Sequence, residues 1–68
     1  MPDLIINGDF VRVPESVKTV TNLLAHLGLD RQVVVVEINR NILGKNEHKD
    51  KEVRNGDRIE LVHFVGGG

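Results

Sequence analysis

Sixty-eight residues, 40% hydrophobic and 28% charged, make one small globular domain rather than a disordered chain. A net charge of −1 excludes the clustered basic surface that nonspecific nucleic-acid binding needs, and the absence of cysteine excludes disulfides and thiolate metal sites. No apolar run approaches the roughly 20 residues that span a bilayer, and the N-terminus lacks a signal-peptide pattern, which predicts a cytoplasmic protein with no membrane partner.

Leu4-Ile5-Ile6 is a short apolar run that ends at Asn7-Gly8, and Phe10-Val11-Arg12-Val13 follows. Asn-Gly between two β-prone runs is a strong hairpin signal, because both residues tolerate φ > 0. The pattern predicts strands at residues 3–6 and 10–13. Leu4, Ile6, Val11 and Val13 then share one face, with Ile5 and Arg12 on the other. Pro14 ends the second strand, having no N–H to give a ladder.

Residues 15–18 connect to a helix whose N-cap is Thr19 and whose apolar stripe is Val20, Leu23, Leu24 and Leu27. Gly28 fits the left-handed position past its end, and Leu29 supplies the hydrophobic contact that goes with it. So short a helix does not hold alone, so its stripe must lie on a sheet. The β-branched run over residues 33–38 is a third strand. Asn39-Arg40-Asn41 turns the chain into a brief fourth strand at Ile42-Leu43. Residues 44–51 are polar without a clear period and read as a loop with room for one helical turn, with Val53 the one core anchor nearby. Asn55-Gly56-Asp57 is a second turn, which launches the last strand at Arg58.

Several short strands around one helix predict an α+β domain, a mixed sheet of four to five strands packed on that helix. The folded part spans residues 1–65 and the tail residues 66–68. If Ile59 and Leu61 point to the helix, then Glu60, Val62 and Phe64 point away, and Val33 and Val35 extend that outer face. Exposed apolar area on a small domain marks a docking surface. Gly66, Gly67 and Gly68 follow the strand directly. They are expected to form a flexible thread of roughly 10 Å, at about 3.3–3.6 Å per residue, ending in a free carboxylate. Lacking Cβ atoms, such a thread enters a channel too narrow for a side-chain-bearing segment.

His26, His48 and His63 have no metal-ligand spacing; His48 falls in the loop and His63 at the border of the core. There is no phosphate-cradling glycine loop and no nucleophile–base pair, so the chain is not expected to be an enzyme or to bind a cofactor itself.

The Asn7-Gly8 hairpin, the helix Thr19-Val20-Thr21-Asn22-Leu23-Leu24 and Gly28-Leu29 resemble the ubiquitin-like β-grasp fold. Val36-Glu37-Ile38-Asn39-Arg40, Asn55-Gly56-Asp57-Arg58-Ile59-Glu60 and His63-Phe64-Val65-Gly66-Gly67-Gly68 are similar to the ThiS family, the sulfur carriers of thiamine biosynthesis. The resemblance implies that a ubiquitin-activating type adenylyltransferase spends Mg-ATP to adenylate Gly68. A sulfur donor enzyme then supplies sulfur in place of AMP, and thiazole synthase consumes the resulting thiocarboxylate. A carrier must bind at least two enzymes through the surface near its tail, so Val62, Phe64, Val35 and Glu60 on the outer face are expected to be the partner-docking residues. Alternatives with the same tail are a sulfur carrier for molybdopterin or another acceptor and a ubiquitin-like protein modifier. A passive β-grasp interaction module is the alternative in which the glycines are inert. The proline-free Val62-His63-Phe64-Val65 before the glycines favours the thiamine reading.

Overall fold

The computed structural model describes residues 1–63; Phe64 and the glycines at 66–68, to which docking, sulfur-carrying and tail roles were assigned from sequence, lie outside the described residues. The chain begins with a hairpin of β1 (Asp3–Ile6) and β2 (Asp9–Arg12), in which Leu4 pairs with Val11 and Ile6 with Asp9. Asn7 and Gly8 form the turn with φ of 50° and 86°, the two left-handed positions of the hairpin type whose twist matches the strands. A turn of only two residues sets Asp9 opposite Ile6, so β2 starts one residue earlier than the apolar pattern suggests. The expected alternation holds. Leu4, Ile6 and Val13 are buried, Val11 packs against them, and Arg12 is exposed.

Across the hairpin Asp3 lies opposite Arg12, with contacts of 2.8 Å from Nε and 3.3 Å from Nη2. The hydrogen bond from Arg12, aided by its charge, holds the Asp3 carboxyl below the usual carboxylate range. Because the folded-state value is the depressed one, the stabilisation is complete above the ordinary carboxylate pKa and fades as pH falls through the folded value. Asp3→Asn should flatten the acid limb of stability against pH while changing neutral stability little, since the pair is exposed and screened. Urea midpoints measured across that limb check it, and an identical limb in the variant would show that the pair contributes nothing.

Helix α1 (Val20–His26) is capped at both ends by local chemistry. Thr19 Oγ1 accepts from the Asn22 amide at 3.2 Å, and Asn22 Oδ1 accepts from the Thr19 amide at 3.1 Å, a reciprocal box closed by Asn instead of the commoner Glu or Gln. At the other end Gly28 adopts φ 74°. Its amide donates to the Ala25 carbonyl at 3.1 Å and the Leu29 amide to that of Leu24 at 2.8 Å, which is the paired Schellman termination. Val20, Leu23 and Leu24 are buried, and Leu27 and Leu29 pack beside them.

The sheet is completed by β3 (Val34–Ile38), β4 (Asn41–Leu43) and β5 (Arg58–His63), in the order β2-β1-β5-β3-β4. β5 is the middle strand. It runs parallel to β1 and antiparallel to β3. One face of the sheet lays Leu4, Ile6, Val36, Ile38, Ile59 and Leu61 against the helix stripe. The polar segment after β4 is more than a solvated loop. Its 3₁₀ turn (Lys45–Glu47) leads to His48 and Lys51, whose carbonyls accept the Thr21 and Val20 amides at 3.1 and 2.9 Å. With the Thr19 cap, these satisfy the first-turn donors that a helix leaves open. His48 lies in this segment as expected but is buried, which a polar stretch did not suggest, and Val53 is buried as expected. Among the described residues no helix is long and apolar enough to cross a membrane.

Candidate functional site

The features singled out from sequence converge on β5, because alternation on a central strand must send every second side chain away from the helix. Ile59 and Leu61 are buried, while Arg58, Glu60 and Val62 are exposed on the far face. Register then decides their neighbours. Val62 lies directly opposite Val35 of β3, and the two are 56% and 42% exposed, a paired apolar spot left open among the described residues. Ile42 of β4 lies on the same face, opposite Glu37, and is exposed as well.

Glu60 stands opposite Glu37. Like charges in direct cross-strand register destabilise a sheet by up to about 1 kcal/mol. Neither carboxylate has an ion-pair partner among the described residues. The outer face therefore combines paired valines with two adjacent carboxylates, an arrangement suited to a partner that presents apolar groups and a cation.

Three of the four docking residues expected from sequence, Val35, Glu60 and Val62, thus come together on one face next to the end of the described strand. Phe64, Gly66, Gly67 and Gly68 lie beyond it. His63 is exposed rather than at the core border: it shares the face of Leu61 but lies past the buried cluster. Sequence reading missed Glu37, although the period of residues 33–38 already put it on the face of Val35. It also gave no face to Ile42, because a strand of three residues has too little alternation to read. Asn7 was recognised only as a turn residue, yet its side chain bonds to β5 at Leu61. Among the described residues no cluster of three or more His, Asp or Glu could hold a metal ion.

Comparison with known proteins bears directly on this geometry. The family model described as the ThiS family matches residues 4–68. The sulfur carrier protein ThiS of Bacillus subtilis (strain 168) is 42% identical over 65 residues, which are 96% of this chain and 98% of that protein. A thiazole synthase of Paramagnetospirillum magneticum is also 42% identical over 65 residues, but these make up only 20% of that longer protein. The crystal structure of a thiamine biosynthesis protein (ThiS) from Geobacter metallireducens superposes with a TM-score of 0.80 at 32% identity, covering 97% of this chain and 99% of that one.

Proposed function

This chain belongs to the ThiS family, and from that premise we propose how it serves as a sulfur carrier in thiamine biosynthesis. It is a carrier and not a catalyst. The observation that carries the reading is the match along 98% of a sulfur carrier's length, in a family alignment that runs through the glycines to residue 68.

In this reading the carboxylate of Gly68 attacks the α-phosphorus of Mg-ATP on a ubiquitin-activating type adenylyltransferase, and pyrophosphate leaves. The carboxylate alone is a poor acyl donor, because its leaving group would be oxide; AMP is a good one. Hydrosulfide released by a donor enzyme then attacks the carbonyl carbon, AMP departs with the C–O electron pair, and loss of the S–H proton leaves a thiocarboxylate. The first step needs the carboxylate oxygen in line with the departing pyrophosphate at phosphorus, and the second needs the carbonyl carbon open to the sulfur nucleophile. Both therefore depend on where the tail holds its carboxyl group. Gly66, Gly67 and Gly68 supply backbone that a narrow channel can grip without side-chain clashes. Mg-ATP is a substrate of the activating enzyme, and the proposal includes a cytoplasmic setting where it is available.

Thiazole synthase is the consuming partner in this reading. A thiazole synthase that carries a stretch like this domain within its own chain supports that pairing, since joining two binding partners raises their effective concentration. Val62, Val35, Glu60 and Phe64 form the docking face. Val62→Asp tests the proposal. The side chain is more than half exposed, so the lost valine pair and the added carboxylate should cost no more than about 1 kcal/mol of stability. Burying a carboxylate against an apolar partner should weaken binding to the adenylyltransferase or to thiazole synthase by roughly tenfold or more. Titration calorimetry with a parallel melting curve separates the two effects. Unchanged affinity for both partners would move the docking site elsewhere.

A further inference from the structure

We propose that Asn7 is a positioning residue for the terminal chemistry, acting through β5; the inference rests on the sulfur-carrier reading above. β1 accompanies β5 only through the pairs Ile5 with Arg58 and Ile6 with Ile59, after which the chain turns away at Asn7-Gly8. From Leu61 to His63, β5 would have no strand beside it on that side among the described residues. Asn7 fills the gap. Its amide donates to the Ile59 carbonyl at 2.9 Å, its Oδ1 accepts from the Leu61 amide at 2.8 Å, and its Nδ2 donates to the Leu61 carbonyl at 3.2 Å. Turn geometry alone asks only that the residue tolerate φ 50°, so the two side-chain bonds are additional. They hold β5 beside Val62, on the stretch from which the chain continues to Gly68.

The docking face and the reacting carboxylate belong to the same strand and its continuation. Their separation is defined only as far as the strand is pinned. Each residue released from the sheet adds about 3.3–3.6 Å of slack, whereas in-line chemistry loses about a hundredfold for a misplacement of roughly 1 Å.

The structure contains its own control. Asn39 is also the first residue of a two-residue turn, with φ 47°. Its amide donates to the Arg58 carbonyl at 2.8 Å and its Oδ1 accepts from the Arg58 amide at 3.0 Å, so it clasps β5 at the opposite end. Asn7→Gly and Asn39→Gly each keep the left-handed turn and remove one clasp. Adenylation kinetics with the activating enzyme and Mg-ATP, together with amide hydrogen exchange, are measured for the parent and both variants. Asn7→Gly should speed exchange at Leu61 and lower kcat by about tenfold, with KM for the carrier little changed because the docking face is intact. Asn39→Gly should destabilise comparably and leave kcat at the parental value. Equal kcat in all three proteins, equal losses in both variants, or a rise in KM alone would each overturn the positioning role. A parent that is not adenylated at all would overturn the carrier reading itself.

Discussion

A chain lacking Gly68, or lengthened by one alanine after it, is expected to fold and melt like the parent and to lose AMP transfer and thiocarboxylate formation. Neither change touches the buried cluster, whose members lie between Leu4 and Leu61, so the effect falls on chemistry rather than on folding. Removing Gly68 withdraws the carboxylate by about 3.5 Å, several times the displacement that costs about a hundredfold in a positioned reaction. Adding alanine moves the carboxylate outward by a similar distance and sets a Cβ next to the reacting carbon. Reconstitution with the adenylyltransferase, Mg-ATP and a sulfur donor, read as pyrophosphate release and as sulfur bound to the chain, checks both variants. Transfer at the parental rate by either would sink the proposed mechanism, whereas a lowered melting point would show that the tail supports the fold.

The opposite signature belongs to Leu23. It is fully buried on the helix face that meets the sheet, and Leu23→Ala removes packing from both layers at once. Leu→Ala in a core costs about 2–5 kcal/mol, and a domain of this size has a total stability of only about 3–10 kcal/mol at roughly 0.05–0.15 kcal/mol per residue. The variant should be substantially unfolded or melt far below the parent. Whatever folded fraction remains should dock with unchanged affinity, because the outer face is untouched. A denaturation midpoint close to that of Val62→Asp would mean that the core lies elsewhere than the buried cluster indicates.

The local elements were legible because each has a short-range cause. Asn7-Gly8 gives its hairpin through two left-handed residues, and Thr19 and Gly28 bracket the helix through their caps. Val36, Ile38, Ile59 and Leu61 reveal their faces by alternation. That same alternation exposed the site, since Val35, Glu60 and Val62 follow from the buried residues between them. What escaped is non-local. Residues 44–51 show no period because they bind the helix start through the carbonyls of His48 and Lys51, which sequence pattern does not encode. The box between Thr19 and Asn22 was hidden because its third position holds Asn. His63 keeps the strand's period but outruns the core, and period alone does not show where a helix stops covering a sheet. Asn7 read as a turn because its hydrogen bonds reach Leu61, 54 positions along the chain.

The central claim is that this chain carries sulfur on Gly68, and intact-mass spectrometry of the natively expressed protein tests it most directly. The expected result is a population heavier by one oxygen-to-sulfur exchange, with fragmentation placing that exchange on the C-terminal glycine. A mass that stays at the carboxylate value after incubation with the adenylyltransferase, Mg-ATP and a competent sulfur donor would contradict the claim. So would sulfur found at any residue other than Gly68.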